Sequence, residues 1–188
     1  MSYMSLQHVI LGFLQYSPLS GYDLKKIFDT SVQHFWPADQ SQIYRTLNFL
    51  TENGWAEMEK IEQENRPARK EYHITEAGRE ALQKWLLTPL PLGENRSALL
   101  IQVFFAGQLP DEKVLAMFER VTACLRDRLT TYDAIPQQME AYEDFIRSPR
   151  EFYFWMLTLE VGKIMAHANL NWLESVIERI RSGEIPQA

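Results

Sequence analysis

The sequence predicts a mainly α-helical chain in two domains, the first carrying a single two-stranded β-hairpin. Three observations lead there. Apolar residues recur every three or four positions along most of the 188 residues. The period shortens to two only between Trp55 and Ile74. The run Pro89-Leu90-Pro91-Leu92-Gly93 then interrupts the pattern as a linker does, so the domains are expected at 1–88 and 89–188.

Each element has its own signal. Leu6, Val9, Ile10, Phe13 and Leu14 mark a first helix, closed at Ser17-Pro18 because proline pushes the residue before it out of helical geometry. Ser20, with Asp23 three residues on, caps a second helix carrying Tyr22, Leu24, Ile27 and Phe28. Asp39 and Gln40 open a third, whose inward stripe is Ile43, Leu47 and Leu50 and whose end is Asn53-Gly54. Two short strands follow, Trp55 to Lys60 and a return through Tyr72 and Ile74, with the turn placed at Arg66-Pro67. Thr75 caps a fourth helix running through Leu82, Trp85 and Leu86 to Thr88. Beyond the linker the pattern predicts helices at 98–106, 110–135, 137–147 and 150–181. In the last, Phe152, Trp155, Leu159, Gly162, Ala166, Leu170, Leu173, Ile177 and Ile180 form one continuous seam. A helix that long is hard to bury in so small a domain, and a partner subunit is the natural cover.

Helix, helix, turn, helix, hairpin, helix is the order of a winged helix-turn-helix. With the stripe of the third helix turned inward, rotation of about 100° per residue turns Ser41, Arg45 and Asn48 outward, with Gln42 and Tyr44 on the flanks. Such side chains reach phosphates and base edges in a major groove. Arg66, Arg69 and Lys70 gather on the hairpin between strands rich in Glu, where a wing would meet the DNA backbone. The alternatives are a solvated helix face and charges that protect a hairpin edge from pairing with other chains. The formal net charge of -6, shared by both halves, excludes binding by bulk positive charge and makes the contact surface a local feature.

SLQHVILGFLQYSPLSGYDL, SQIYRTLNFLTENGW and RPARKEYHITEAGREAL resemble the PadR family of bacterial transcriptional regulators, whose wing carries an R-x-x-[RK]-x-Y-x-[IL]-T-x-x-G pattern. The helical second half resembles the C-terminal domain of the longer branch, which includes virulence-activator regulators. The resemblance implies a winged helix-turn-helix with an all-α C-terminal dimerisation domain, a homodimer on palindromic double-stranded operator DNA, and repression of a neighbouring gene. It places Tyr44 and Arg45 on the recognition helix and Arg66, Arg69 and Lys70 on the wing. It also implies a small aromatic effector, for which Tyr16, Trp36, Phe152, Trp155 and His167 are the candidate residues. Aromatics at helical spacing are otherwise core or interface.

Other functions find little support. His8, His34, His73 and His167 are isolated, Cys124 has no neighbouring base in sequence, and no GxSxG or glycine-rich phosphate loop occurs, so no catalytic residue is expected. No metal or cofactor is expected either. The amino terminus lacks a basic n-region, no run reaches membrane-spanning length, and the lone Cys124 suits a reducing cytosol, so a cytoplasmic protein is expected. The competing reading is a helical interaction or ligand-sequestering module that uses its winged helix as a protein-binding platform.

Overall fold

The computed structural model describes residues 3–33, 35–63, 66–89, 97–140 and 148–186, with side chains of 3–5, 63, 66, 67 and 140 excepted. These residues form α1 (Tyr3–Leu14), α2 (Gly21–Thr30), α3 (Gln40–Glu52), β1 (Ala56–Gln63), β2 (Arg66–Ile74), α4 (Glu76–Leu86), α5 (Ala98–Phe105), α6 (Asp111–Glu140) and α7 (Pro149–Arg181). They divide into two compact units, Met1–Leu90 with Ile135–Met156, and Pro91–Ala134 with Leu157–Ala188.

In the first unit α1, α2 and α3 close over one apolar core. Ile10, Leu11, Leu24, Phe28, Ile43, Leu47 and Leu50 are fully buried there. Burying each such side chain contributes roughly 1.5–3 kcal/mol before chain entropy is subtracted. The stripe Ile43, Leu47, Leu50 therefore fixes the rotation of α3 and with it the outward face. Tyr22 departs from its expected place in the α2 stripe: it is 62% exposed, because the buried residues Leu24, Ile27 and Phe28 leave position 22 on the solvent side.

Both helix starts are capped as expected. Asp23 N–H donates to Ser20 Oγ at 3.2 Å, and Gln42 N–H donates to Asp39 Oδ1 at 2.8 Å, each with a reciprocal bond from the cap's own N–H. Thr75 Oγ1 accepts from Gly78 N–H at 3.1 Å and donates to Gly54 O at 2.6 Å, tying the start of α4 to the end of α3. A Cβ on Gly78 would lie 2.1 Å from Trp55 O, so only glycine lets α4 approach the start of β1 this closely.

β1 and β2 pair antiparallel with Ala56 opposite Ile74, Met58 opposite Tyr72, Lys60 opposite Lys70 and Ile61 opposite Arg69. Gln63 pairs with Arg66, so Arg66 and Pro67 belong to the return strand and not to the turn expected there; residues 64 and 65 fall outside the described residues. Leu19 extends the sheet on its other edge, exchanging two backbone hydrogen bonds with Tyr72 at 2.9 and 3.2 Å.

In the second unit α6 packs on α7 around Val114, Phe118, Leu125, Leu173, Ile177 and Ile180. Leu159, Ala166, Leu173, Ile177 and Ile180 are the buried members of the predicted seam. The break expected near residue 136 is absent. α6 runs through Pro136 to Glu140, and the loss of one N–H donor does not break it. Residues 141–147 of the predicted helix at 137–147 lie outside the described residues.

Candidate nucleic-acid interface

The outward face of α3 is built as the stripe requires. Ser41, Arg45 and Asn48 are exposed, and Tyr44 is 38% exposed. Arg45 Nε donates to Ser41 O at 3.3 Å, which lays the guanidinium along the helix. Gln42 is half-buried and already partly engaged: its Oε1 accepts the Asp39 N–H at 2.9 Å, leaving its amide NH₂ as the donor it can offer to a base. Tyr44 sits against the start of α2, where a Cβ on Gly21 would come within 2.6 Å of its ring. The Tyr72 hydroxyl, on β2, titrates above its ordinary value of 10.0, first because it is buried and then because Tyr44 lies nearby. Tyr44, Gly21 and Tyr72 thus join recognition helix, second helix and wing.

The wing divides its charges by face. Residues opposite each other share a face, so Glu57, Glu59, Ile61, Arg69, Glu71 and His73 lie on one side and Met58, Lys60, Lys70 and Tyr72 on the other. On the first side the arginine is held by carboxylates. Arg69 Nη2 donates to Asp23 Oδ2 at 2.8 Å and reaches Glu71 Oε1 at 3.0 Å, and His73 Nε2 lies 3.2 Å from Glu59 Oε2. On the second side Lys60 and Lys70 face each other, both exposed, with no ion pair among the described residues. Lys60 carries no signal in the sequence, since only the strand register sets it across from Lys70. The side chain of Arg66 lies outside the described residues.

The five candidate effector residues divide between the two units. Trp155 stands edge-on to Tyr16 at 5.9 Å and to Phe13 at 5.8 Å, and Trp36 packs against the same core. The Tyr16 hydroxyl also titrates above 10.0, raised by burial and by Glu151, while the hydrogen bond with Trp155 acts in the opposite sense. Phe152 is half-buried in the same unit, whereas His167 belongs to the second unit and is exposed. The second unit has its own groove of about 630 Å³, lined by Glu119, Thr122, Arg126, Glu174, Glu178 and Arg181 among others, none of them an effector candidate. Among the described residues no His, Cys, Asp and Glu group is arranged to hold a metal ion, and no helix is long and apolar enough to cross a membrane.

Comparison with known proteins joins both units to one family. Residues 10–84 match the transcriptional regulator PadR-like family, and residues 95–181 match the virulence activator alpha C-terminal family. A probable transcriptional regulator of Mycobacterium tuberculosis, Rv1176c, is 32% identical over 189 residues, covering 95% of this chain and 98% of its own. The negative transcriptional regulator PadR of Bacillus subtilis is 27% identical over 93% of this chain and 97% of its own. Its crystal structure in complex with operator DNA superposes with a TM-score of 0.81 at 25% identity, over 94% of this chain and 99% of that one; its complex with p-coumaric acid gives 0.74, likewise at 25% identity, over 94% and 98%. The Vibrio cholerae virulence activator AphA gives a TM-score of 0.73 at 25% identity over 94% of this chain and 98% of its own. With a winged-helix first unit and relatives matched over nearly their whole length, this chain belongs to the PadR-like family of DNA-binding transcriptional regulators, which are not enzymes.

Proposed function

We propose that the protein is a cytoplasmic homodimeric repressor that reads a palindromic operator and is released from it by a small aromatic effector. The observation that carries the reading is the exposed polar face of α3 held by a fully buried stripe, with the basic wing on the same unit. Ser41, Gln42, Tyr44, Arg45 and Asn48 enter the major groove, and the wing of Arg66, Arg69 and Lys70 approaches the flanking backbone. Residues 1–88 are the DNA-binding domain and 89–188 the dimerisation domain. For the dimer the support is α5, an apolar helix with no buried residue in the single chain. Its Leu100, Ile101, Phe104 and Phe105 are 52 to 81% exposed, a patch that a second copy would cover. For the effector the support is the p-coumaric acid complex of the Bacillus subtilis relative together with the half-buried Tyr16 and Trp155, a hydroxyl beside an indole.

The test is a band-shift assay on the promoter DNA upstream of the protein's own gene, with nonspecific competitor present. Retardation at submicromolar dimer, protection of two half-sites about one helical turn or a multiple of it apart, and release by p-coumarate are expected. Arg45→Ala should weaken the operator by about 1–3 kcal/mol and relax preference at one base position. No retarded complex at micromolar protein would instead favour a protein-binding platform.

A further inference from the structure

Resting on the reading of the hairpin as a DNA-contacting wing, we propose a division of labour within it. The cross-strand pair Lys60 and Lys70 is its phosphate clamp, and Arg69 is a positioning residue that locks the wing to α2.

The two lysines stand directly opposite in the antiparallel ladder. Opposed residues have Cβ atoms roughly 5 Å apart, and like charges at that spacing destabilise a hairpin. The neighbouring opposed pair, Glu59 and Glu71, is also like-charged, but Glu71 is met by Arg69. The lysines have no such relief among the described residues. A hairpin with no core of its own is marginal, so an uncompensated repulsion in it costs stability that an anion lying between the two ammonium groups restores. Duplex DNA supplies that anion as a backbone phosphate. Lys70 is two residues from Tyr72 on the same face, and Tyr72 neighbours Tyr44 of α3, so the clamp lies on the face of the sheet that continues to the recognition helix.

Arg69 is placed otherwise. Its Nη2 is shared between Asp23 and Glu71, and its Nε is buried. Asp23 Oδ2 already accepts from Ser20 N–H at 3.2 Å and from Ser20 Oγ at 2.6 Å, so the guanidinium is bound to the capping box of α2. The sheet is also held at Tyr72 through Leu19. The two attachments are three positions apart, roughly 10 Å along a strand. One attachment leaves a hairpin free to pivot; two set the direction in which it points.

The experiment measures affinity of the full-length protein for a random-sequence duplex as a function of salt, together with amide exchange of β1 and β2. Lys60→Gln and Lys70→Gln are each expected to lower the slope of log affinity against log salt by about 0.9 per wing bound. Both should leave hairpin exchange unchanged or slower, since repulsion is removed. Arg69→Gln is expected to weaken binding about three- to tenfold at unchanged slope and to speed hairpin exchange by a similar factor. Asp23→Asn should do the same, the double variant should be no worse than the poorer single one, and Arg69→Lys should restore most of the affinity. The division is overturned if Arg69→Gln flattens the slope as a phosphate contact would, or if Asp23→Asn tightens binding at a steeper slope by releasing Arg69 to the DNA. It is also overturned if Lys60→Gln leaves the slope unchanged. If none of the wing variants moves the slope while Arg45→Ala still weakens binding, the wing reading itself fails and the recognition helix stands.

Discussion

Gly21 shows how a single residue places a functional side chain. Its missing Cβ leaves the space in which the Tyr44 ring rests, 2.6 Å from where a methyl group would begin. Gly21→Ala is expected to fold normally, because the far end of an exposed tyrosine moves at little cost. Duplex affinity should fall about fivefold, the worth of roughly one hydrogen bond of about 1 kcal/mol. Tyr44→Phe should lose a similar amount, and a melting curve with a band shift on each variant checks both. An unchanged affinity in Gly21→Ala would remove Tyr44 from the interface. Arg69 teaches the same lesson from the other side: in sequence it is one of three clustered cations, and in the fold it is already bound to two carboxylates.

At the scale of the element, α3 depends on its first turn as much as on its stripe. Asp39 and Gln42 satisfy each other's backbone N–H groups, which would otherwise be orphaned at the helix start. Asp39→Ala is expected to cost about 1 kcal/mol in denaturant unfolding, while Asp39→Ser, which keeps an acceptor, costs a few tenths. Either substitution keeps the backbone N–H of residue 39 that Gln42 Oε1 accepts, so base preference and salt slope in a band-shift assay are expected to stay unchanged. α6 illustrates where local reasoning stops. A proline normally ends a helix, yet Pro136 lies inside one, with Tyr132, Ile135 and Met139 around it each buried.

For the whole molecule the open question is the apolar surface of the second unit. Phe104 is 81% exposed and Ile101 62%, on a helix with no buried residue. A lone chain rarely leaves such a patch bare. The double variant Ile101→Glu, Phe104→Glu is expected to sediment as a monomer with circular dichroism retained. Its affinity for a two-half-site duplex should fall at least a hundredfold while binding to one half-site changes little, because the second half-site no longer adds its effective concentration. A dimer that survives both substitutions would place the interface elsewhere.

Much of this was legible in the chain itself. The helices, the capping residues Ser20, Asp39 and Thr75, the stripe of α3 and the existence of the hairpin follow from local rules, because spacing and capping act between residues close in sequence. The outward residues of α3 were legible for the same reason: burying one face of a helix determines the other. The roles of the wing cations were not. Whether a cation faces a carboxylate or another lysine depends on strand register and on Asp23, 46 positions away, and no local pattern encodes either. Sequence determined that this is a winged-helix regulator with positive charge on its wing; tertiary structure alone decided which of those charges is neutralised within the fold and which faces outward, since pairing across strands is a matter of distance in space.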